Sequence, residues 1–253
     1  MTVNWKKSFI VLIDIALVVY LVFAITTFNR PDELSNVCSE VKIDVKEGMV
    51  KGFLNPDEIK SQLQHARLYP LGDPMSQVSA RKIEENLSQN PLVESVQCYK
   101  TQTGRVFISL SQRLPVARVK ADNGEDYYVD THGNIMPNTQ HASDLVVVTG
   151  HVSRKYAKNV LPRVGNFLIQ NKMWRAEAEQ LNVLADGSME LIPRVGDHIV
   201  YLGQPVNIDK KLSRLEQFYK YGLSKVGWNK YSYISLEFDN QIICKKNKKI
   251  NQI

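Results

Sequence analysis

The chain has 253 residues, 43% of them hydrophobic and 23% charged, with a formal net charge of +6. That composition excludes a disordered or low-complexity chain and suits one or two packed domains that need no disulfide or metal staple. The basic balance would admit a nucleic-acid partner. However, apart from Lys245, Lys246, Lys248 and Lys249 the basic residues are scattered, and the topology argues against one.

The first element runs from Phe9 to Phe28 as FIVLIDIALVVYLVFAITTF. About twenty helical residues cover roughly the 30 Å of a bilayer core, so a membrane helix is expected over 8–28. A cleaved signal peptide fits less well, because the run is too long and TTFNRP lacks a small-x-small site. A core helix is rarely apolar on every face. Lys6 and Lys7 precede the run, whereas Arg30 after it is offset by Asp32 and Glu33. The positive-inside rule then puts residues 1–7 in the cytoplasm and the remainder across the membrane. Asp14 is discordant, costing about 2.5–3.5 kcal/mol if ionised at mid-bilayer. Partial solvation near the cytoplasmic end, or a polar contact with another membrane helix, accounts for it.

Residues 29–37 read as a linker. Val41, Ile43 and Val45 alternate with Lys42, Asp44 and Lys46 as a half-buried strand, and 48–52 connects it onward. Asn55-Pro56-Asp57-Glu58 starts a helix, with Asn at the cap, Pro at the first position and Leu54 and Ile59 as a hydrophobic staple. Ser79 caps a second helix with Val78 and Ile83 as its staple, and Pro91 stops it. Strands follow at Val93–Thr101 and Arg105–Arg113 around a turn at Gly104. One sheet covered on one face by two helices satisfies this βααββ order.

From Leu114 onward, strands are expected at Val116–Lys120, Tyr127–Asp130, Leu145–Thr149, Ala178–Leu184, Met189–Pro193 and His198–Leu202. A helix is expected near Val160–Gln170, and another after Asn207 with Ile208, Leu212, Leu215 and Tyr219 on one face. Tyr231 to about Cys244 reads as one last strand, with Ile234, Leu236 and Phe238 on one side and Ser235, Glu237, Asp239 and Gln241 on the other. A terminal strand can be an edge whose free backbone groups accept a partner strand. Cys38 and Cys98 are the disulfide candidates of an exported domain, with Cys244 left over.

Catalytic chemistry has no foothold in the motifs. There is no glycine-rich phosphate loop, no GxSxG, no HExxH and no paired-cysteine metal motif. His132, His141 and His151 fall in turns and loops without ligand spacing. A non-enzymatic chain without a cofactor or small-molecule substrate is expected.

The phrase IEENLSQNPLVESVQCYKTQTGRVFISLSQRLPVARV, then YYVDTHGNIMP, VVVTG, MELIPRVGDHIVYLG and GWNKYSYISLEFDNQIICKK, resemble in order the FtsQ/DivIB family of bacterial division proteins. The resemblance spans nearly the whole chain, and its C-terminal wording is closest to Bacteroidetes versions. It implies an α+β fold: a cytoplasmic tail at 1–7, a transmembrane helix at 8–28, a POTRA domain at 38–113, a mostly antiparallel β domain with flanking helices at 114–245, and a basic tail at 246–253. It further implies a single-pass protein of the inner membrane at the division septum, with its ectodomain in the periplasm. There it would hold FtsB- and FtsL-like proteins and other division components. The family pairs its last strand with FtsB, which carries a partner-binding role to Ser235, Leu236, Glu237, Phe238, Asp239, Asn240, Gln241 and Ile242. Two alternatives belong to other classes: a POTRA-bearing export component, which would need a membrane barrel, and a membrane-tethered cell-wall enzyme.

Overall fold

The computed structural model describes residues 5–28, 37–46, 54–138 and 144–247. Most of the expected linker, the 48–52 connection, His141 and the tail beyond 247 lie outside these residues. The first helix, α1 (Trp5–Phe28), has 24 residues, a length of about 36 Å. Its side chains are described at Phe9 and from Leu12 to Thr26 and are nearly all exposed. Among the described residues, no helix is long and apolar enough to cross a membrane.

The first folded unit contains β1 (Glu40–Lys46), α2 (Pro56–His65), α3 (Ala80–Ser88), β2 (Val93–Lys100) and β3 (Arg105–Gln112). Both helices start as their caps dictate. Asn55 Oδ1 accepts from the Asp57 amide at 3.0 Å, and Ser79 Oγ accepts from the Lys82 amide at 3.3 Å. Leu54 and Ile59, and likewise Val78 and Ile83, are buried beside those caps. The strand order is β1-β3-β2, with β1 parallel and β2 antiparallel to the central β3. Ile59, Leu63, Ile83 and Leu87 pack with Val106, Ile108 and Leu110 in one cluster. On the opposite face Tyr99 stacks on Phe107 at 5.2 Å, with Tyr99 exposed.

The expected Cys38–Cys98 bridge is absent, and both thiols are free and buried. Cys98 pairs with Ile108 in mid-sheet. Cys38 instead lies before β1, its amide donating to the Asp73 carbonyl and the next amide to that of Gly104. Burial pushes the Cys98 thiol up to about 11, so it behaves as an apolar core residue.

The second unit contains β4 (Pro115–Ala121), β5 (Asp126–Asp130), β6 (Ile135–Pro137), β7 (Val147–Gly150), α4 (Arg154–Asn159), α5 (Leu161–Gln170), α6 (Lys172–Glu177) and β8 (Ala178–Val183). It continues through β9 (Met189–Pro193), β10 (Ile199–Gly203), α7 (Ile208–Phe218), β11 (Tyr231–Ser235) and β12 (Ile243–Lys246). Its strands form one sheet in the order β12-β11-β10-β9-β8-β7-β4-β5-β6. Pairings β4/β7, β7/β8 and β10/β11 are parallel and the other five antiparallel.

The expected 160–170 helix is flanked by α4 and α6, and β6 is an additional strand. All three are too short to show a hydrophobic period. Helix residues Leu161, Val164, Leu168, Trp174, Leu212 and Leu215 share a core with Val119, Val148, Leu181, Leu191, Val200 and Ile234. Helix α5 comes close to β4 at Gly165, where an added Cβ would lie 2.8 Å from the Val116 side chain.

Arg113 and Leu114 alone separate β3 from β4. The Arg113 guanidinium reaches both units. Nε donates to Pro91 O at 3.0 Å, Nη2 to Val93 O at 3.0 Å, and Nη1 to Asp130 Oδ2 at 2.8 Å. Leu92 of the first unit packs against Tyr128 and Met136 of the second. The two units are therefore joined at the β4-β5-β6 end of the long sheet.

A candidate interaction edge at the end of the long sheet

The long sheet ends, on the side away from the first unit, at β12. This strand pairs antiparallel with β11 through Ile234↔Cys244 and Ser235↔Ile243, and no strand among the described residues lies on its other side. The direction of its amides follows from two bonds. Asn247 N donates inward to Lys230 O at 2.9 Å, and Leu236 N donates to Tyr201 O of β10 at 2.8 Å. Antiparallel ladders alternate by two. The Ile243 and Lys245 amides therefore face β11, and those of Cys244 and Lys246 face outward.

The structure corrects the expectation of one strand from Tyr231 to Cys244. β11 stops at Ser235, the chain turns through Asp239-Asn240 with Asn240 at φ 64°, and it returns as β12. Alternation fails with it: Ile234 and Leu236 are buried, but Phe238 is 51% exposed. Ser235 is an interior strand residue, pairing on both sides. Leu236, Glu237, Phe238, Asp239, Asn240, Gln241 and Ile242 form the connection between strands, not an edge ladder. The edge positions are Ile243–Lys246, just beyond the expected segment.

This end of the sheet is basic and partly apolar. Lys245, Lys246 and Ile243 are exposed on β12. Beside Lys246 and Asn247, the 226–230 loop encloses a groove of about 680 Å³ lined in part by Trp228. Behind the loop, the Tyr219 ring meets Trp228 at 5.2 Å and Trp174 at 5.9 Å. His198, buried, places Nε2 2.6 Å from the Tyr219 hydroxyl. Burial pushes the Tyr219 phenol up and the His198 imidazole down, so both are uncharged near neutrality.

The connection itself rests on α7. Lys211 is buried and donates from Nζ to Leu202 O at 2.6 Å and Gln204 O at 2.9 Å. Arg214 Nη2 donates to Leu236 O at 3.1 Å. Neither was singled out in the sequence, although a lysine three residues after Ile208, inside the Ile208-Leu212-Leu215 stripe, was the available signal.

Among the described residues, no group of three or more His, Cys, Asp or Glu side chains converges as a metal site. His132 Nδ1 lies 3.1 Å from Thr131 Oγ1, and His151 Nδ1 lies 3.1 Å from Asp122 Oδ2, so each has a local partner.

A three-stranded, two-helix unit followed by a long mixed sheet that ends in a backbone edge defines a POTRA-bearing protein. A POTRA-like domain model matches residues 36–111, and the model described as FtsQ/DivIB, C-terminal related, matches residues 114–245. The chain belongs to the FtsQ/DivIB family, a family of cell-division proteins. It is similar to "Cell division protein FtsQ" of Geotalea daltonii (strain DSM 22248 / JCM 15807 / FRC-32), with 26% identity over 187 residues. That match covers 69% of this chain and 66% of the relative, so the chain spans just under two thirds of it.

Proposed function

We propose that this protein is a non-enzymatic scaffold of the division machinery that binds FtsB- and FtsL-like proteins in the periplasm by strand addition to β12. Residues 8–28 anchor it once in the inner membrane, with residues 1–7 in the cytoplasm and the folded units outside at the septum. The anchor rests on the apolar run and its flanking lysines. The observation that carries the binding mode is the outward side of β12, where the Cys244 and Lys246 amides have no strand partner among the described residues. Main-chain pairing supplies affinity in strand addition, and exposed side chains choose the partner. Ser235 to Ile242 take part as the hairpin that presents this edge.

Proline at an outward amide removes one donor while sparing the β11 ladder. Full-length Lys246→Pro is expected to fold as the wild type and to lose capture of an FtsB-like partner, while Lys246→Ala retains it. Wild-type capture by both Lys246→Pro and Cys244→Pro would refute strand addition.

A further inference from the structure

β12 has four residues and, among the described residues, a single neighbouring strand. An edge strand that short has few ladder bonds to fix its register, so something else must help to fix where it begins. The hairpin tip is exposed from Glu237 to Gln241, while Ile242 and Cys244 pack against the core on the β12 side. A second fixed point is upstream, where β10 and β11 leave the sheet together against α7.

At that point the Leu202 and Gln204 carbonyls both bond the Lys211 ammonium, and the Leu236 carbonyl bonds the Arg214 guanidinium. Residues three apart on a helix share a face, so the two cations form one clamp across the ends of two strands. Glu237 lies directly over Gly203, whose added Cβ would sit 3.5 Å from Glu237 Cα. Burial lowers the pKa of Lys211, and the nearby Asp239 and Glu237 carboxylates oppose that effect.

We propose that Lys211 and Arg214 are positioning residues for the partner-binding edge: by holding the end of β10 at Leu202 and Gln204 and the end of β11 at Leu236, they set the register of β12 and so keep the Cys244 and Lys246 amides pointing outward. The proposal rests on the strand-addition reading. A one-residue slip of β12 along β11 would exchange the inward and outward amides, and the donors offered to a partner would be the wrong pair.

The test uses the full-length protein in nanodiscs and two readouts, amide hydrogen exchange without partner and affinity for a purified FtsB-like protein. Arg214→Met is expected to speed exchange of the Ile243 and Lys245 amides about tenfold or more, the factor that loss of one charge-assisted bond gives. Affinity is expected to fall by a similar factor, while exchange in β8 and β9 stays at the wild-type rate. Arg214→Lys restores most of both. Lys211→Met is expected to act the same way, and if it fails to fold, the half-buried Arg214 still decides the matter. Unchanged exchange at Ile243 and Lys245 in Arg214→Met overturns the clamp. Faster exchange with unchanged affinity overturns its role in binding. If Lys246→Pro still abolishes binding in that second case, strand addition survives and only the clamp falls.

Discussion

The Arg113–Asp130 pair offers the sharpest test of how the two folded units are held together. Asp130 is 1% exposed and accepts four bonds: from Arg113 Nη1 at 2.8 Å, the His132 amide at 2.8 Å, the Asn134 amide at 2.7 Å and Asn134 Nδ2 at 2.8 Å. Removing one member of a buried pair costs about 3–5 kcal/mol, because the other charge is left buried. In Arg113→Met three donors still satisfy the carboxylate, but the Pro91 and Val93 carbonyls lose their partner as well. The balance puts the loss near the lower bound, about 3 kcal/mol.

Acid has a related effect. Burial pushes the Asp130 carboxyl up, but Arg113, Asn134 and the His132 amide outweigh it and hold the group below the usual carboxylate range. A depressed folded value gives stability that is fully present above the unfolded pKa, near 3.9, and is lost as pH falls through the folded one. Arg113→Met should therefore be less stable than wild type at pH 7, with a gap that narrows below pH 4. Urea denaturation followed by tryptophan fluorescence at both pH values measures this. A loss under about 1 kcal/mol at pH 7, the worth of an exposed pair, would refute the reasoning.

Gly165→Ala should destabilise the protein by about 1–3 kcal/mol despite better helix propensity, since the methyl meets Val116 at 2.8 Å. Val116→Ala removes only the Cγ2 contact and leaves the Val116 Cβ at 2.8 Å and its carbonyl at 2.9 Å, so a double-mutant cycle should show little recovery. His198 titrates below its ordinary 6.5 because of burial. The unfolded chain therefore binds the proton first, and stability falls as pH drops below about 6.5. In His198→Gln that slope should vanish from the pH 7 to 5 unfolding series. A maleimide chase under native conditions should label Cys244 ahead of Cys38 and Cys98, which are buried and react only on unfolding.

Local signals were legible wherever a single residue determines geometry. Asn55 and Ser79 cap the helices they announce, and the Val106-Ile108-Leu110 alternation faces the core as written. The order of strands in the long sheet was not legible, because β4 pairs with its hairpin neighbour β5 on one side and in parallel with the more distant β7 on the other. The break after Ser235 was hidden for a different reason. No glycine or proline marks the turn, and alternation continues through Leu236 and Phe238 in the sequence, while in space it stops at Leu236. Only Asp239-Asn240 hinted at a turn, through the left-handed conformation that asparagine tolerates. Lys211 was masked by the habit of counting a lysine as solvent-facing. Its aliphatic stem fills the buried stripe, and its head finds two carbonyls.

The most direct test of the scaffold proposal is a photocrosslinking scan in living cells, with the reactive residue placed singly at each position from Ile242 to Asn247 and captured proteins identified by mass. The expected result is capture of a small FtsB-like membrane protein at alternating positions along β12, lost when Lys246→Pro is added. No capture along this strand, with capture instead from the Tyr99–Phe107 face of the POTRA sheet, would contradict it.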